Sequence, residues 1–167
     1  MRTQVLTRSA LIAALYVALT VAVPGLSYGQ IQFRISEALT VLPIFFGEGV
    51  WALYVGAMIA NVFGGLGLWD ILGGSAITLL AALLTRATRR RPLLAVLPPV
   101  VLNGFLVPLY LAPILGVPYW PTVAYVSLGE AAVIGLLGLP LLWALQRNQA
   151  VRALQGDPGR QQERVRP

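Results

Sequence analysis

Residues 31–63, IQFRISEALTVLPIFFGEGVWALYVGAMIANVF, decide the fold of this chain. They contain two apolar runs, at about 36–46 and 50–63, which Gly47-Glu48-Gly49 separates. Two opposite charges, Arg34 and Glu37, stand where the first run begins. If the glycine break turns the chain, the runs are two short helices. If it does not, they form one long helix, and every later segment is inverted relative to the membrane.

The composition places the chain among membrane proteins. It has 167 residues, of which 57% are hydrophobic and only 11% are charged, whereas a soluble domain carries about 25% charged residues. The sequence contains no cysteine and no histidine, which excludes disulfides, the usual zinc sites and Ser-His-Asp catalysis. All twelve basic residues are arginine, so a Walker A loop, which needs lysine, is excluded as well.

The positions of the arginines choose between the two topologies. Six apolar segments are predicted, at about 9–23, 36–46, 50–63, 68–85, 93–115 and 122–145. With the N-terminus inside, Arg2, Arg8, the cluster at 86–91 and the C-terminal tail all lie on the cytoplasmic side, as the positive-inside rule requires. One continuous helix over 36–63 would put the cluster outside. The net charge of +6 is thereby explained without nucleic-acid binding.

The resulting prediction is an all-α membrane protein with six transmembrane helices and both termini in the cytoplasm. The bundle is expected to occupy residues 1–146, followed by an arginine-rich, disordered cytoplasmic tail at 147–167. Two alternatives remain for parts of the bundle. The first run, which follows two arginines, resembles a signal peptide but lacks a clear cleavage site. The second and third runs are shorter than the roughly 20 residues of a spanning helix, so they also fit a re-entrant hairpin.

Three of the six carboxylates are predicted at or below the outer surface of the bundle. Glu37 and Asp70 open the second and fourth segments, where a carboxylate also favours the positive end of a helix dipole. Glu130 lies about nine residues into the sixth segment, roughly 13 Å along the helix. A carboxylate at this depth costs about 2.5–3.5 kcal/mol, and such residues face a bundle interior or a wet cavity. We therefore expect Glu130 to have a functional role, with a structural bond to a neighbouring helix as the alternative.

Amide and aromatic side chains accompany these carboxylates at the same level of the bundle. Asn61 and Asn103 either tie helices together or join Arg34 in a pocket. Tyr28 and Trp120 belong to an interfacial aromatic belt or line that pocket. A planar ligand rich in N–H donors would fit such a lining, because one carboxylate accepts two adjacent donors of a guanine-like edge. A thiamine-like or amino-acid ligand would also fit.

Small side chains form a row along the first segment. Ala10, Ala14 and Ala18 recur at four-residue spacing, which places them on one face of a helix. Rows of small residues let membrane helices approach each other closely. The row therefore has the pattern of a docking face for a partner helix.

Four stretches carry a resemblance to a known family: IQFRISEALTVLP, ANVFGGLGLWDILGGSAITLLAALLTR, LPPVVLNG and SLGEAAVIGLLGLPLL. They resemble the queuosine-precursor transporter (QueT) family, the substrate-binding S-components of energy-coupling factor (ECF) transporters, over about residues 9–145. The resemblance implies a bacterial cell-membrane protein with the same six-helix topology. It also implies a membrane coupling subunit that docks on Ala10, Ala14 and Ala18, and two ABC-type ATPases. ATP and Mg²⁺ would bind in these partners, so this chain would need no cofactor or metal and would not be an enzyme.

The ligand that the resemblance implies is a 7-deazaguanine, in its cyano, aminomethyl or queuine form. Glu130 is then expected to accept from the ring N–H groups and Asn103 to contact the ring carbonyl. Asp70 or Glu37 would take an aminomethyl cation, and Trp120 or Tyr28 would stack on the base. We expect Arg34 to pair with Glu37, or with Asp70 across the bundle, at the rim of the pocket. The alternatives are an S-component for another planar vitamin or nucleobase and a self-contained secondary transporter.

Overall fold

The computed structural model of the protein describes residues 2–154, and this part of the chain is helical in almost every segment. Helix α1 covers Arg2–Val21 and is followed by a single helical turn, Pro24–Ser27. A 3₁₀ helix, Ile35–Ile44, and α2, Gly49–Gly64, come next. The remaining helices are α3 (Trp69–Ala87), α4 (Pro92–Leu115), α5 (Tyr119–Arg147) and α6 (Gln149–Leu154).

Four of these helices, α1, α3, α4 and α5, are long and apolar enough to cross a membrane. The 3₁₀ helix and α2 are shorter, although both are apolar. The helix breaks between Ile44 and Gly49, where Gly47-Glu48-Gly49 predicted a break. Because a 3₁₀ helix rises about 2 Å per residue, its ten residues reach roughly 20 Å, a third farther than the same residues in an α-helix.

The 3₁₀ helix lies at the centre of the bundle. Nine of its ten residues, from Ser36 to Ile44, are buried, and it contacts α1, α2, α3 and α5. Helices α1 and α2 approach closely, since a Cβ on Gly56 would lie 3.1 Å from the carbonyl oxygen of Ala13. Such close approach between helices at small residues is typical of membrane bundles.

Charged residues distinguish the two ends of the bundle. At the first end, Arg8 pairs with Glu48 at 3.1 Å. At this end Arg86 also donates to the carbonyl oxygens of Pro43 (3.0 Å) and Ile44 (3.1 Å), where the 3₁₀ helix ends. Arginines from α1 and α3 therefore meet at one end, as the charge pattern predicted. The second end holds the loop that precedes the 3₁₀ helix and the start of α3.

The exposed tryptophans form two levels. Trp69 and Trp120 begin α3 and α5 at the second end, and they are 74% and 70% exposed. Trp51 and Trp143, near the first end, are 62% and 51% exposed. Tryptophans at two levels around an apolar helical bundle are typical of the two membrane interfaces.

The first residues of the tail, which was predicted to be disordered from residue 147, are helical. Arg147 ends α5, and Gln149–Leu154 forms α6. The side chain of Asn148 accepts from the backbone N–H of Ala150 at 2.9 Å, which is a helix N-cap. Val151 packs into the core, so this cap and one apolar contact extend the helical structure beyond residue 146. The rest of the predicted tail, 155–167, lies outside the described residues.

Candidate functional site

The second end of the bundle contains a buried polar cluster. Its charged and amide side chains come from the loop before the 3₁₀ helix and from five helical segments, and each is at most 5% exposed: Arg34, Glu37, Asn61, Asp70, Asn103 and Glu130. All six were predicted as site residues from the sequence. Because buried charges are costly unless they are paired or hydrogen-bonded, the partners of each charge indicate what the cluster does.

Arg34 joins the loop to α2 and α3. Its Nε donates to the carbonyl oxygen of Ser27 (3.0 Å) and its Nη1 to Oδ1 of Asn61 (3.0 Å). Nη2 lies 3.6 Å from Oδ1 of Asp70, so the ion pair forms across the bundle with Asp70, one of the two expected partners. The guanidinium also lies over the ring of Tyr28, 5.6 Å from its centroid. These contacts make Arg34 the residue that fixes the loop.

Asp70 is held by a π-helical turn. Trp69–Gly74 has π geometry, which is rare and often marks functional sites. Oδ1 of Asp70 accepts from the Tyr110 hydroxyl at 2.8 Å, and its backbone carbonyl accepts from Nδ2 of Asn61 at 2.8 Å. A Cβ on Gly74 would lie 2.8 Å from both of these donor atoms. Only glycine therefore lets α2, α3 and α4 meet here.

Glu37 and Glu130 each have one bound and one free carboxylate oxygen. Oε1 of Glu37 accepts from the hydroxyl of Tyr16, and Oε1 of Glu130 accepts from Nδ2 of Asn103 at 2.8 Å. Oε2 of each carboxylate is buried without a hydrogen-bond partner. With Oδ2 of Asp70, the cluster thus keeps three buried carboxylate oxygens that the protein itself does not satisfy.

Three residues of this region were not predicted as site residues. Tyr16 is fully buried on α1. Tyr110 on α4 donates its hydroxyl to Asp70. Gln32 is 3% exposed in the loop before Arg34. Of these three residues, only Tyr16 could have been predicted from helical spacing. It lies two residues from both Ala14 and Ala18, which places it on the opposite face of α1.

The two aromatic residues predicted to stack on a ligand lie in different places. Trp120 is exposed and packs edge-to-face on Tyr119, with ring centroids 5.1 Å apart, outside the buried cluster. The Tyr28 hydroxyl donates to the carbonyl of Ala60 at 2.6 Å. Burial raises the pKa of the Tyr28 phenol above its ordinary value, so it remains a neutral donor. Stacking on a ligand stays a prediction for both.

The alanine row lies on the surface of the bundle. Ala10, Ala14 and Ala18 are all exposed, and they alternate with the exposed side chains of Leu11 and Leu15. On the opposite face of α1, Tyr16 reaches the buried cluster. The same helix therefore carries an apolar outer face and an inner face that contacts Glu37.

Within residues 2–154, no three acidic residues are grouped as metal ligands.

Comparison with known proteins gives the family. A sequence model described as QueT transporter matches residues 6–147. The queuosine precursor transporter QueT of Lactococcus lactis subsp. cremoris (strain MG1363) is 44% identical over 68 residues, which are 39% of this chain and 40% of that protein. The similarity therefore spans less than half of the curated relative. No solved structure matches the chain significantly. Since the family match covers most of a chain with four helices able to cross a membrane, this is a multi-pass plasma-membrane protein that belongs to the QueT transporter family.

Proposed function

We propose that this chain is the substrate-binding S-component of an ECF-type uptake transporter. It captures a queuosine precursor, a 7-deazaguanine in its cyano, aminomethyl or queuine form, from the extracellular side. The observation that carries the proposal is the pair of buried, unpartnered carboxylate oxygens, Oε2 of Glu37 and Oε2 of Glu130. The name of the curated relative, queuosine precursor transporter, supports the choice of ligand.

The chemistry of the ligand complements these oxygens. A 7-deazaguanine presents a ring N–H and an amino group side by side, and a carboxylate accepts from both. A buried acceptor without a donor costs about 1–3 kcal/mol, and a bound ligand removes this cost. Asn103 holds the other oxygen of Glu130 and so orients the carboxylate toward the ligand.

The proposed topology has six membrane crossings, with both termini in the cytoplasm. The 3₁₀ helix and α2 cross as short segments, for which the extended rise of the 3₁₀ helix is favourable. Arg8 and Arg86 lie together at the first end, which is then cytoplasmic under the positive-inside rule. The buried cluster lies at the second end, which is then on the extracellular side.

The energy for uptake comes from partner proteins. The chain contains no lysine and therefore no Walker A loop, so ATP and Mg²⁺ bind in two ABC-type ATPases. A membrane coupling subunit connects these ATPases to the S-component. Its docking face is the row Ala10, Ala14 and Ala18, whose exposure on α1 leaves small side chains free to pack closely against another helix.

Ligand binding tests the proposed substrate. The purified protein in detergent should bind 7-aminomethyl- or 7-cyano-7-deazaguanine, measured by titration calorimetry. Affinity for guanine should be weaker, and thiamine and riboflavin should not bind measurably. Binding of thiamine or riboflavin instead of deazaguanines would identify an S-component for a vitamin. Uptake by the chain alone in liposomes, without ATPases, would identify a self-contained transporter.

Docking of the coupling subunit is tested at Ala14. Replacing Ala14 with Trp should reduce the amount of coupling subunit and ATPase that co-purifies by roughly tenfold or more, because a bulky side chain separates closely packed helices. Ligand binding by the isolated chain should not change. Ala76→Trp is the matched control, since Ala76 is also an exposed alanine, on α3. Equal co-purification of both variants would exclude the alanine row as the docking face.

A further inference from the structure

Gln32 has a backbone conformation that is unfavourable for its residue type. It is the only non-glycine residue with a positive φ, 51°, among residues 2–154. Glycine adopts this conformation without steric cost, whereas glutamine requires surroundings that hold it there. Two backbone hydrogen bonds do so: the N–H of Gln32 donates to Gly29, and the N–H of Arg34 donates to Gln32.

The side chain of Gln32 is also in an unfavourable state. It is 3% exposed, and its Nε2 is buried without a hydrogen-bond partner. A buried amide donor without an acceptor destabilises the folded protein. Glycine at this position would remove both the backbone strain and the unsatisfied donor. Strain and unsatisfied polar groups that coincide in one residue are characteristic of functional sites.

The loop that carries Gln32 contacts α5 on one side and α2 and α3 on the other. On one side, a Cβ on Gly129 would collide with the carbonyl oxygen of Ile31 and lie 3.5 Å from that of Gln32. The loop backbone therefore rests directly on α5, next to Glu130. On the other side, Arg34 ties the loop to Asn61 and Asp70. The backbone of Gln32 thus lies close to the residue that precedes Glu130, the carboxylate that the proposed function assigns to the ligand.

The unpartnered atoms of the cluster complement a guanine-like edge of three groups. Such an edge has an amino group and a ring N–H, which are donors, followed by a carbonyl, which is an acceptor. Glu37, Asp70 and Glu130 supply free acceptors. Gln32 and Arg34 supply free donors. Nη2 of Arg34 already faces Oδ1 of Asp70 at 3.6 Å, so Nε2 of Gln32 is the donor that faces no carboxylate among the described contacts.

We propose that Gln32 is a specificity-determining residue whose Nε2 donates to the ring carbonyl of the ligand. This inference rests on the proposed function and deepens it. Asn103, expected from the sequence to contact this carbonyl, instead orients Glu130.

A change of one atom in the ligand tests this contact. The 6-thio analogue of 7-aminomethyl-7-deazaguanine keeps the ring N–H and amino donors but replaces the carbonyl with a thiocarbonyl, a much weaker acceptor. The wild-type protein should bind the oxo ligand roughly tenfold more tightly than the thio ligand. Gln32→Met, which keeps the length of the side chain and removes the amide, should bind the oxo ligand roughly 10- to 100-fold more weakly. Its affinity for the thio ligand should change little.

Two further variants make the result decisive. Gln32→Gly should lose the preference for the oxo ligand while its thermal stability without ligand stays equal or rises, because strain and an unsatisfied donor are removed. Gln30→Met, at a half-buried glutamine of the same loop, should bind like the wild type. If Gln32→Met loses affinity for both ligands equally, or for neither, the inference is overturned while the proposed function stands. If the wild-type protein binds neither deazaguanine, both fail.

Discussion

Replacing Arg34 with alanine should destabilise the protein by about 3–5 kcal/mol, the usual cost of removing one partner of a buried ion pair. Asp70 is fully buried, and the variant leaves its charge with only the Tyr110 hydroxyl as a side-chain donor. Asn61 and the carbonyl of Ser27 lose their hydrogen bonds as well. Thermal unfolding in detergent should show a midpoint lower by roughly 6–20 °C.

The controls separate the buried pair from the general loss of a positive charge. Arg90→Ala, at an exposed arginine beyond α3, should stay within about 0.5 kcal/mol of the wild type. The double variant Arg34→Ala/Asp70→Asn should recover part of the loss, because it removes the unpaired charge. An Arg34→Ala protein as stable as Arg90→Ala would mean that Arg34 does not hold the loop and α3 together.

Replacing Glu130 with glutamine should lower the affinity for the ligand rather than the stability of the protein. The variant changes a carboxylate that accepts two donors into an amide that also donates, so affinity for 7-deazaguanines should fall roughly 10- to 150-fold. Stability without ligand should stay close to that of the wild type, because glutamine keeps the shape of the side chain and the oxygen that accepts from Asn103. Titration calorimetry and thermal unfolding of the same preparation measure both quantities.

A matched carboxylate at the other end of the bundle provides the control for Glu130. Glu48 pairs with Arg8 at the first end, far along the bundle from the buried cluster. Glu48→Gln should therefore leave the affinity for deazaguanines unchanged. Unchanged binding of every deazaguanine to the Glu130→Gln protein would remove Glu130 from the ligand site. A parallel fall in stability and affinity would show that its role is structural.

These two predictions assign different roles to residues of one cluster. Nε and Nη1 of Arg34 donate to groups of the protein, and Nη2 lies 3.6 Å from Asp70, so the loss of Arg34 is expected to appear as lost stability. Glu130 leaves one oxygen without any partner, so its loss is expected to appear as lost binding. The loop that carries Gln32 and Arg34 packs onto Gly129, next to Glu130. Its conformation depends on the contacts of Arg34. Arg34→Ala should therefore weaken ligand binding indirectly, through the loop.

The sequence alone determined the membrane class and the glycine break, and it predicted the polar residues that the structure brings together. Only 11% of the residues are charged, which leaves few positions for polar chemistry. A charge inside an apolar chain is costly, so each such residue is a candidate for a functional role. For this reason the sequence predicts four charged site residues: Arg34, Glu37, Asp70 and Glu130. The structure moved the C-terminal boundary of the fold. Asn148 caps the short helix α6, which extends the helical structure past residue 146.

Tertiary structure alone decided which polar atoms are paired and which remain free. Arg34 bonds to Asn61, 27 residues away, and Tyr16 bonds to Glu37 from another helix. Helical periodicity specifies the face on which a side chain lies but not its partner on a neighbouring helix. Gln32 gave no signal at all, because a glutamine in a polar loop is expected to be solvated. The folded loop, whose backbone packs onto Gly129, buries this side chain and leaves its donor free.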